Sequence, residues 1–344
     1  MVNAVTQGGK RAIDAVITWV DGADPVHRQR LDDFLSAQGD VRPRTAHPTR
    51  FNDAGEIEYC IASLLRFAPW FRRIHVVTDG QRPALLEKLA GTSLADRVSV
   101  VDHREIFTGF EQHLPTFNSR SIISVLWRIP GLAGEFVYFN DDMVLLHPVS
   151  PEDFFRDGKV VLRGKWLKQA AYRLPRRIAG FLKRLSGRRK DRVGNLDSQE
   201  LSARLAGFDR TFYRLYHNPY PMRVAVLRDF FATHPDLLAK NVAYRLRSND
   251  QFKTECLATH LEILQGTALL DNRLHTVQLK PSQQSRARVL GKMRDADADA
   301  RAAFACVQSL EMATPEVQRE IAGWLDRRVG RLDQVLRALD SAHG

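Results

Sequence analysis

Three cysteines in 344 residues is few. Cys60, Cys256 and Cys306 stand far apart, an odd number with no CxxC pair, which argues against a disulfide framework and against a cysteine-rich zinc module. Long apolar runs are lacking too: no stretch approaches the ~20 apolar residues that a membrane span requires. The first ten residues are polar and small, without an apolar region behind a charged start. The expectation is a cytoplasmic protein that lies peripherally, if it meets a membrane at all, at the inner face of the cell membrane. Acidic residues are scarce in one segment. Residues 163–192 hold twelve Lys and Arg against Asp191 alone, which accounts for the whole net charge of +11. Interleaved aromatics are thin there (Trp166, Tyr172 and Phe181), so base stacking has little to work with and no nucleic-acid partner is expected.

What is present is ordinary for a folded enzyme: 44% hydrophobic and 26% charged residues, with chain enough for a large core. Residues 12–20 are a β-branched apolar run ending in the turn formers DGADP. RIHVVTDG, RVSVVDH and EFVYFNDD repeat the pattern, with helical periodicity between them at 26–38, 55–67, 83–90 and 117–128. Strands alternating with helices predict an α/β fold with a mostly parallel central sheet. Three of the four strands end in acidic turns, and open α/β sheets bind ligands at the carboxyl ends of their strands, so a divalent metal and a diphosphate are expected along that edge. Residues 196–270 read as mainly helical, residues 294–304 as a polar linker into a helix, and the tail from Pro315 as an amphipathic helix. The organisation expected is an α/β nucleotide-sugar and metal-binding part at 12–160, a basic amphipathic insertion at 161–195, and a helical acceptor-binding and catalytic part at 196–330 completing the same catalytic domain.

Several segments resemble the Stealth family, which contains bacterial capsule polysaccharide phosphotransferases and is similar to the GlcNAc-1-phosphotransferase of lysosomal enzyme targeting. IDAVITWVDGADP (13–25) is similar to its first region. RFNDAGEIEYCIASLLRFAPWFRRIHVVTDGQRP (50–83), VDHREIF (101–107), LPTFNSRSI (114–122) and IPGLAGEFVYFNDDMVL (129–145) are similar to its second. YHNPYPM (216–222) with YRLRSNDQ (244–251) resembles the third, and FACVQSLE (304–311) the fourth, more weakly. The resemblance implies a GT-A-like nucleotide-sugar transferase fold with a helical C-terminal part and a divalent metal, Mg²⁺ or Mn²⁺. It also implies transfer of hexose-1-phosphate from a UDP-sugar to a glycan or lipid-linked acceptor, an EC 2.7.8-like reaction that builds capsule or cell-wall polysaccharide. The alternative is a conventional metal-dependent glycosyltransferase that releases UDP.

The resemblance also distributes roles. Asn140-Asp141-Asp142 resembles the DxD logic of metal-dependent sugar transferases, in which hard oxygen ligands hold the ion: Asp141 and Asp142 as metal ligands, Asn140 as a donor contact. Asp21, Asp24 and Asp79 end strands and are expected at the donor, although each also suits a plain turn. Asn118 and Ser119 are candidates for donor contact, with helix capping as the structural alternative. His217 is expected to take the proton of the acceptor hydroxyl, and Arg247, with Arg245 as its rival, to stabilise charge on the transferred phosphoryl group. Asp142 joins them at the reaction centre. Two departures stand out. Ile123 occupies a position where family members commonly carry Glu, and Cys306-Val307-Gln308-Ser309 replaces the Ile-Asn-Asp core of the fourth region. The basic insertion 163–192, with Ile178, Phe181, Leu182 and Leu185 on one helical face, is expected to meet an anionic membrane surface.

Overall fold

The computed structural model describes residues 11–39, 55–173 and 194–343. Four parallel strands make the frame: β1 (Ile13–Thr18), β2 (Ile74–Thr78), β3 (Val98–Asp102) and β4 (Glu135–Asn140), ordered β4-β1-β2-β3. β1 and β2 are buried almost throughout, as strands covered on both faces must be. Register pairs Thr18 with both Asn140 and Val77, and Thr78 with Asp102, so the carboxyl ends of all four strands lie along one edge.

A fifth strand, Tyr220–Arg223, lies antiparallel on the outer side of β4. This corrects the expectation of a mainly helical 196–270: the segment also contains Thr211–Leu215, paired with Gly164–Lys168, and Ala268–Leu270, paired with Lys159–Leu162. Pro221 weakens the strand signal in YPMR, yet proline is tolerated here because the strand is at the sheet edge and owes no hydrogen bond outward. Residues 294–304 likewise are no linker. They span the end of helix Arg286–Ala298 and the start of strand Ala302–Val307. That strand pairs antiparallel with Met143–Leu145 and parallel with His275–Leu279.

The expected helix 83–90 is a 3₁₀ segment, Ala84–Leu89, and 117–128 shrinks to Ser119–Ile123 followed by a 3₁₀ turn at Leu126–Arg128. Helices Pro25–Ser36 and Glu56–Phe67 match their periodicity. Asp24 caps the first, its carboxylate accepting from Val26 N, with Pro25 at the first position, where a missing N–H costs nothing. The basic segment divides. Arg163 is buried, its guanidinium 5.8 Å from the Phe154 ring centre and 5.2 Å from that of Phe304, and Gly164–Lys168 is a strand. The amphipathic stretch with Ile178 and Phe181 lies outside the described residues. The tail from Pro315 is helical, as expected (Pro315–Arg328).

One buried carboxylate locks the start of the sheet. Asp14, fully buried in β1, accepts from Arg72 Nε and Nη2 (2.9 and 2.6 Å), Arg73 N (3.2 Å) and Ala133 N (2.8 Å), with His75 Nε2 at 3.3 Å. It ties β1 to the chain entering β2 and to the chain before β4. Its saturated ring of donors is what lets a carboxylate sit in a core.

Candidate active site

At the end of β4 the backbone turns through Asp141 and Asp142 and re-enters extended structure at Met143. Two distant segments converge on that turn. Tyr220 pairs with Tyr138 in antiparallel register, which brings the residues just before Tyr220 level with Asn140. Cys306 pairs with Met143, which puts it beside Asp142. His217 and Cys306 thus reach the turn through strand pairing.

A directed chain of hydrogen bonds crosses the sheet there. Thr18 Oγ1 lies 3.0 Å from Tyr138 Oη, and Tyr138 donates to Asn140 Oδ1 at 2.5 Å. That bond orients the Asn140 amide with Nδ2 toward His217 Nε2, 3.4 Å away, and His217 Nδ1 lies 3.1 Å from Tyr220 Oη. With Nδ2 donating to Nε2, the imidazole proton sits on Nδ1, and Nε2 carries the lone pair. Burial, then the positive charges of Lys253 and Lys280, push the His217 pKa down to about 3. This differs from the ordinary imidazole value near 6.5 expected from the sequence. The ring is neutral throughout the physiological range.

Asp142 is held from the other side. Its Oδ2 accepts from the Cys306 thiol at 3.2 Å, and its carbonyl accepts from Val307 N at 3.0 Å. Its Oδ1 is buried without a hydrogen-bond partner, and burial, partly offset by the Cys306 bond, pushes the carboxyl up to about 6. A buried carboxylate oxygen without a donor is costly, and a cation is the ligand that satisfies it. Asp142, His217 and Cys306 each offer a ligand atom, and these atoms lie within 4.8 Å of one another.

The other expected residues fall into two further groups. At the ends of β1 and β2, Asp21 Oδ1 accepts from Ala23 N (2.8 Å), while Gln81 Nε2 donates to Asp24 Oδ2 (2.8 Å) and to the Asp21 carbonyl (2.9 Å). The Gln81 bond leads the causes that lower the Asp24 pKa. Asp79 pairs with Arg30 at 3.1 Å. This group shares the edge on which the Asn140–Asp142 turn sits. The third group joins helix Ser119–Ile123 to the loop after residue 243. Arg247 Nη2 donates to Ser119 Oγ at 2.6 Å. Asn118 is fully buried and caps the helix, its Oδ1 accepting from Arg120 N (3.1 Å) while Nδ2 donates to the Tyr244 carbonyl and to Gln251 Oε1 (2.8 Å each). Its amide is committed to protein partners. Arg245 is committed as well, donating to the Gln112 and Leu114 carbonyls at 2.9 Å. Ile123 packs in the main apolar core.

Sequence reasoning missed Tyr138, Tyr220, Lys253, Lys280 and Gln81. Tyr138 sits two residues before Asn140 and Tyr220 three after His217. A search for polar groups flanking the two motifs would have found both.

Comparison with known proteins places the first two conserved segments in a family. Residues 11–39 match Stealth protein conserved region 1, and residues 50–162 match conserved region 2. The exopolysaccharide phosphotransferase SCO6021 of Streptomyces coelicolor is 35% identical over 263 residues, 74% of this chain and 44% of that protein. The receptor polysaccharide phosphotransferase WefC of Streptococcus oralis is 37% identical over 145 residues, 42% of each. The chain therefore spans less than half the length of these relatives. Among solved structures, galactosyltransferase LgtC in complex with donor and acceptor sugar analogs superposes with a TM-score of 0.38 at 10% identity, covering 85% of this chain and 86% of that one. Mouse xyloside xylosyltransferase 1 superposes at 0.40 and 12%, covering 86% and 97%. Both conserved regions of the Stealth family are thus present in order in this chain, and relatives named as polysaccharide phosphotransferases share more than a third of the aligned residues with it.

Proposed function

We propose that the chain transfers hexose-1-phosphate from a UDP-sugar to a carbohydrate hydroxyl, leaving a phosphodiester in a capsular or exopolysaccharide. The observation that carries this reading is the neutral His217, with its Nε2 lone pair set against the Asn140–Asp142 turn by a continuous hydrogen-bond chain. The relatives' names supply the reaction class: they are phosphotransferases of polysaccharides.

Asp142, whose buried Oδ1 lacks a partner, and Asp141 beside it would hold a divalent cation, Mg²⁺ or Mn²⁺. When bound, such an ion neutralises diphosphate charge and stabilises the departing UMP. The protein does the rest. Nε2 of His217, released from the Asn140 amide when the acceptor hydroxyl takes its place, accepts that hydroxyl's proton as the oxygen attacks the phosphorus bonded to the sugar. The low pKa of His217 rises when a dianionic diphosphate lies beside Lys253 and Lys280, because the cations that repel an imidazolium are then offset. Asn140 orients His217, Tyr138 orients Asn140, and Arg247, on Ser119, offers a guanidinium fork for phosphate oxygens. Asp21, Asp24 and Asp79 edge the donor cleft. The enzyme acts on a glycan or lipid-linked acceptor at the inner membrane face. No helix among the described residues is long and apolar enough to cross a membrane.

The test is by-product release by purified protein supplied with UDP-sugars, Mg²⁺ and short phosphoglycan acceptors. Metal-dependent UMP, lost in Asp142→Ala, is the expected result. UDP in its place would make the chain a conventional glycosyltransferase.

A further inference from the structure

The Asp142 centre contains a thiol, which transfer of a sugar phosphate does not need. Three ligand atoms of different softness, a carboxylate oxygen, an imidazole nitrogen and a sulfur, lie within 4.8 Å of one another. Mg²⁺ favours all-oxygen octahedral surroundings, whereas oxygen, nitrogen and sulfur from three side chains with one place left over is the arrangement of an open zinc site. Two further features suit such an ion. The Cys306 thiol already points its hydrogen at Asp142 Oδ2, 3.2 Å away, so an ion bridging sulfur and oxygen takes the place of that proton, which leaves to solvent. His217 Nδ1, 3.1 Å from Tyr220 Oη, has the outer partner that orients a ligating imidazole, and an ion at Nε2 displaces only the long Asn140 contact at 3.4 Å. The buried, unpartnered Asp142 Oδ1 adds an uncompensated negative charge inside the cluster.

We propose that Asp142, His217 and Cys306 form a capture site for a thiophilic divalent cation of the zinc class, which competes with the hard cation of the transfer reaction and silences the centre by ligating His217 Nε2. The free enzyme and the thiophilic-ion complex are then alternative states of one site, and Cys306 decides that the second exists. Binding needs no sugar donor, so it is read independently of whether the chain transfers a sugar phosphate.

The experiment titrates the metal-free 344-residue chain with Co²⁺ alone and follows the near-ultraviolet thiolate-to-cobalt charge-transfer band. One equivalent is expected to saturate the band, an equivalent of Zn²⁺ to erase it, and a large excess of Mg²⁺ to leave it. Cys306→Ser is expected to abolish the band and Cys256→Ser to retain it. Asp142→Asn and His217→Gln, each keeping the thiol, are expected to weaken Co²⁺ binding at least tenfold, which keeps the idea testable should Cys306→Ser fold poorly. Absence of the band, its survival in Cys306→Ser, or unchanged affinity in both thiol-retaining variants would overturn the proposal.

Discussion

Asn140 Nδ2 lies 3.4 Å from His217 Nε2, although 77 residues separate the two in the chain. The contact exists because Tyr138, two residues before Asn140, captures the other end of the same amide at 2.5 Å. Asn140 can then present only its NH₂ group to the imidazole. Removing one hydroxyl from Tyr138 should therefore disturb His217 through the intervening Asn140 amide.

For that reason Tyr138→Phe should lower kcat about tenfold with little change in donor KM, because it frees the amide to flip without removing a group that touches substrate. His217→Ala should cost on the order of 10²–10⁴ in kcat, the usual worth of a positioned general base. Steady-state kinetics on both variants check this. Equal losses in the two would mean that Tyr138 acts on more than the Asn140 amide.

Asp142 trades stability for function. Its carboxyl is pushed up to about 6, so the folded state holds a proton that the unfolded chain releases near 3.8. A raised carboxyl value means stability is lost as pH rises through roughly 4 to 6, and the loss persists above that range. Metal-free Asp142→Asn should therefore match the parent in thermal stability near pH 4 and exceed it at pH 7, by ~3 kcal/mol from a shift of this size. Activity should meanwhile fall by at least about a hundredfold, as for loss of a major electrostatic group. Thermal melts across that pH range decide, and a constant difference between variant and parent would refute the burial argument.

Arg245 and Arg247 have different work. Arg245 anchors to two carbonyls and should reveal itself in stability: Arg245→Ala is expected to cost ~0.5–1.5 kcal/mol, the net worth of an ordinary hydrogen bond, because water can replace the donor at these exposed and half-buried acceptors. Arg247→Ala should instead reduce kcat/KM for the donor by about two orders of magnitude, the scale of a lost charged contact to phosphate, with a smaller change in melting temperature. Arg247→Lys should rescue only part, because an ammonium lacks the fork.

Asp14 predicts acid sensitivity of the opposite sign to that of Asp142. Burial alone would raise its pKa, but hydrogen bonds from His75, Arg72 and Ala133 N outweigh it and hold the carboxyl well below the usual range. Its contribution is complete above ~3.9 and disappears as pH falls through the folded value. Asp14→Asn should cost ~3 kcal/mol at pH 7, the cost of breaking a buried charge pair, and should flatten acid unfolding below pH ~4. Urea titrations at several pH values measure both.

Deleting residues 174–193 should abolish binding to anionic liposomes at low ionic strength and spare single-turnover transfer. Co-sedimentation that is unchanged by the deletion would remove the membrane from the account of this segment.

The frame was legible before any coordinates. A parallel strand buried on both faces must be a near-continuous apolar run, and it must end in turn formers, so IDAVITWVDG, RIHVVTDG, RVSVVDH and EFVYFNDD announced both the strands and the edge where their acidic turns collect. Asp142, His217 and Arg247 came from family resemblance. Neither route showed what surrounds them. Tyr220–Arg223 hid behind a proline that only an edge position permits, and strand Ala302–Val307 hid behind a polar stretch that turned out to end a helix. Those two short strands decide which side chains meet at the Asn140–Asp142 turn. One sets His217 over Asn140, and the other sets Cys306 against Asp142 across 164 residues. Local sequence determines which segments are strands and where their carboxylates fall, because burial and turn propensity are properties of neighbours in the chain. Which thiol and which imidazole meet those carboxylates, and how far burial shifts their protons, is set by pairing between segments remote in sequence, and only the folded sheet decides that.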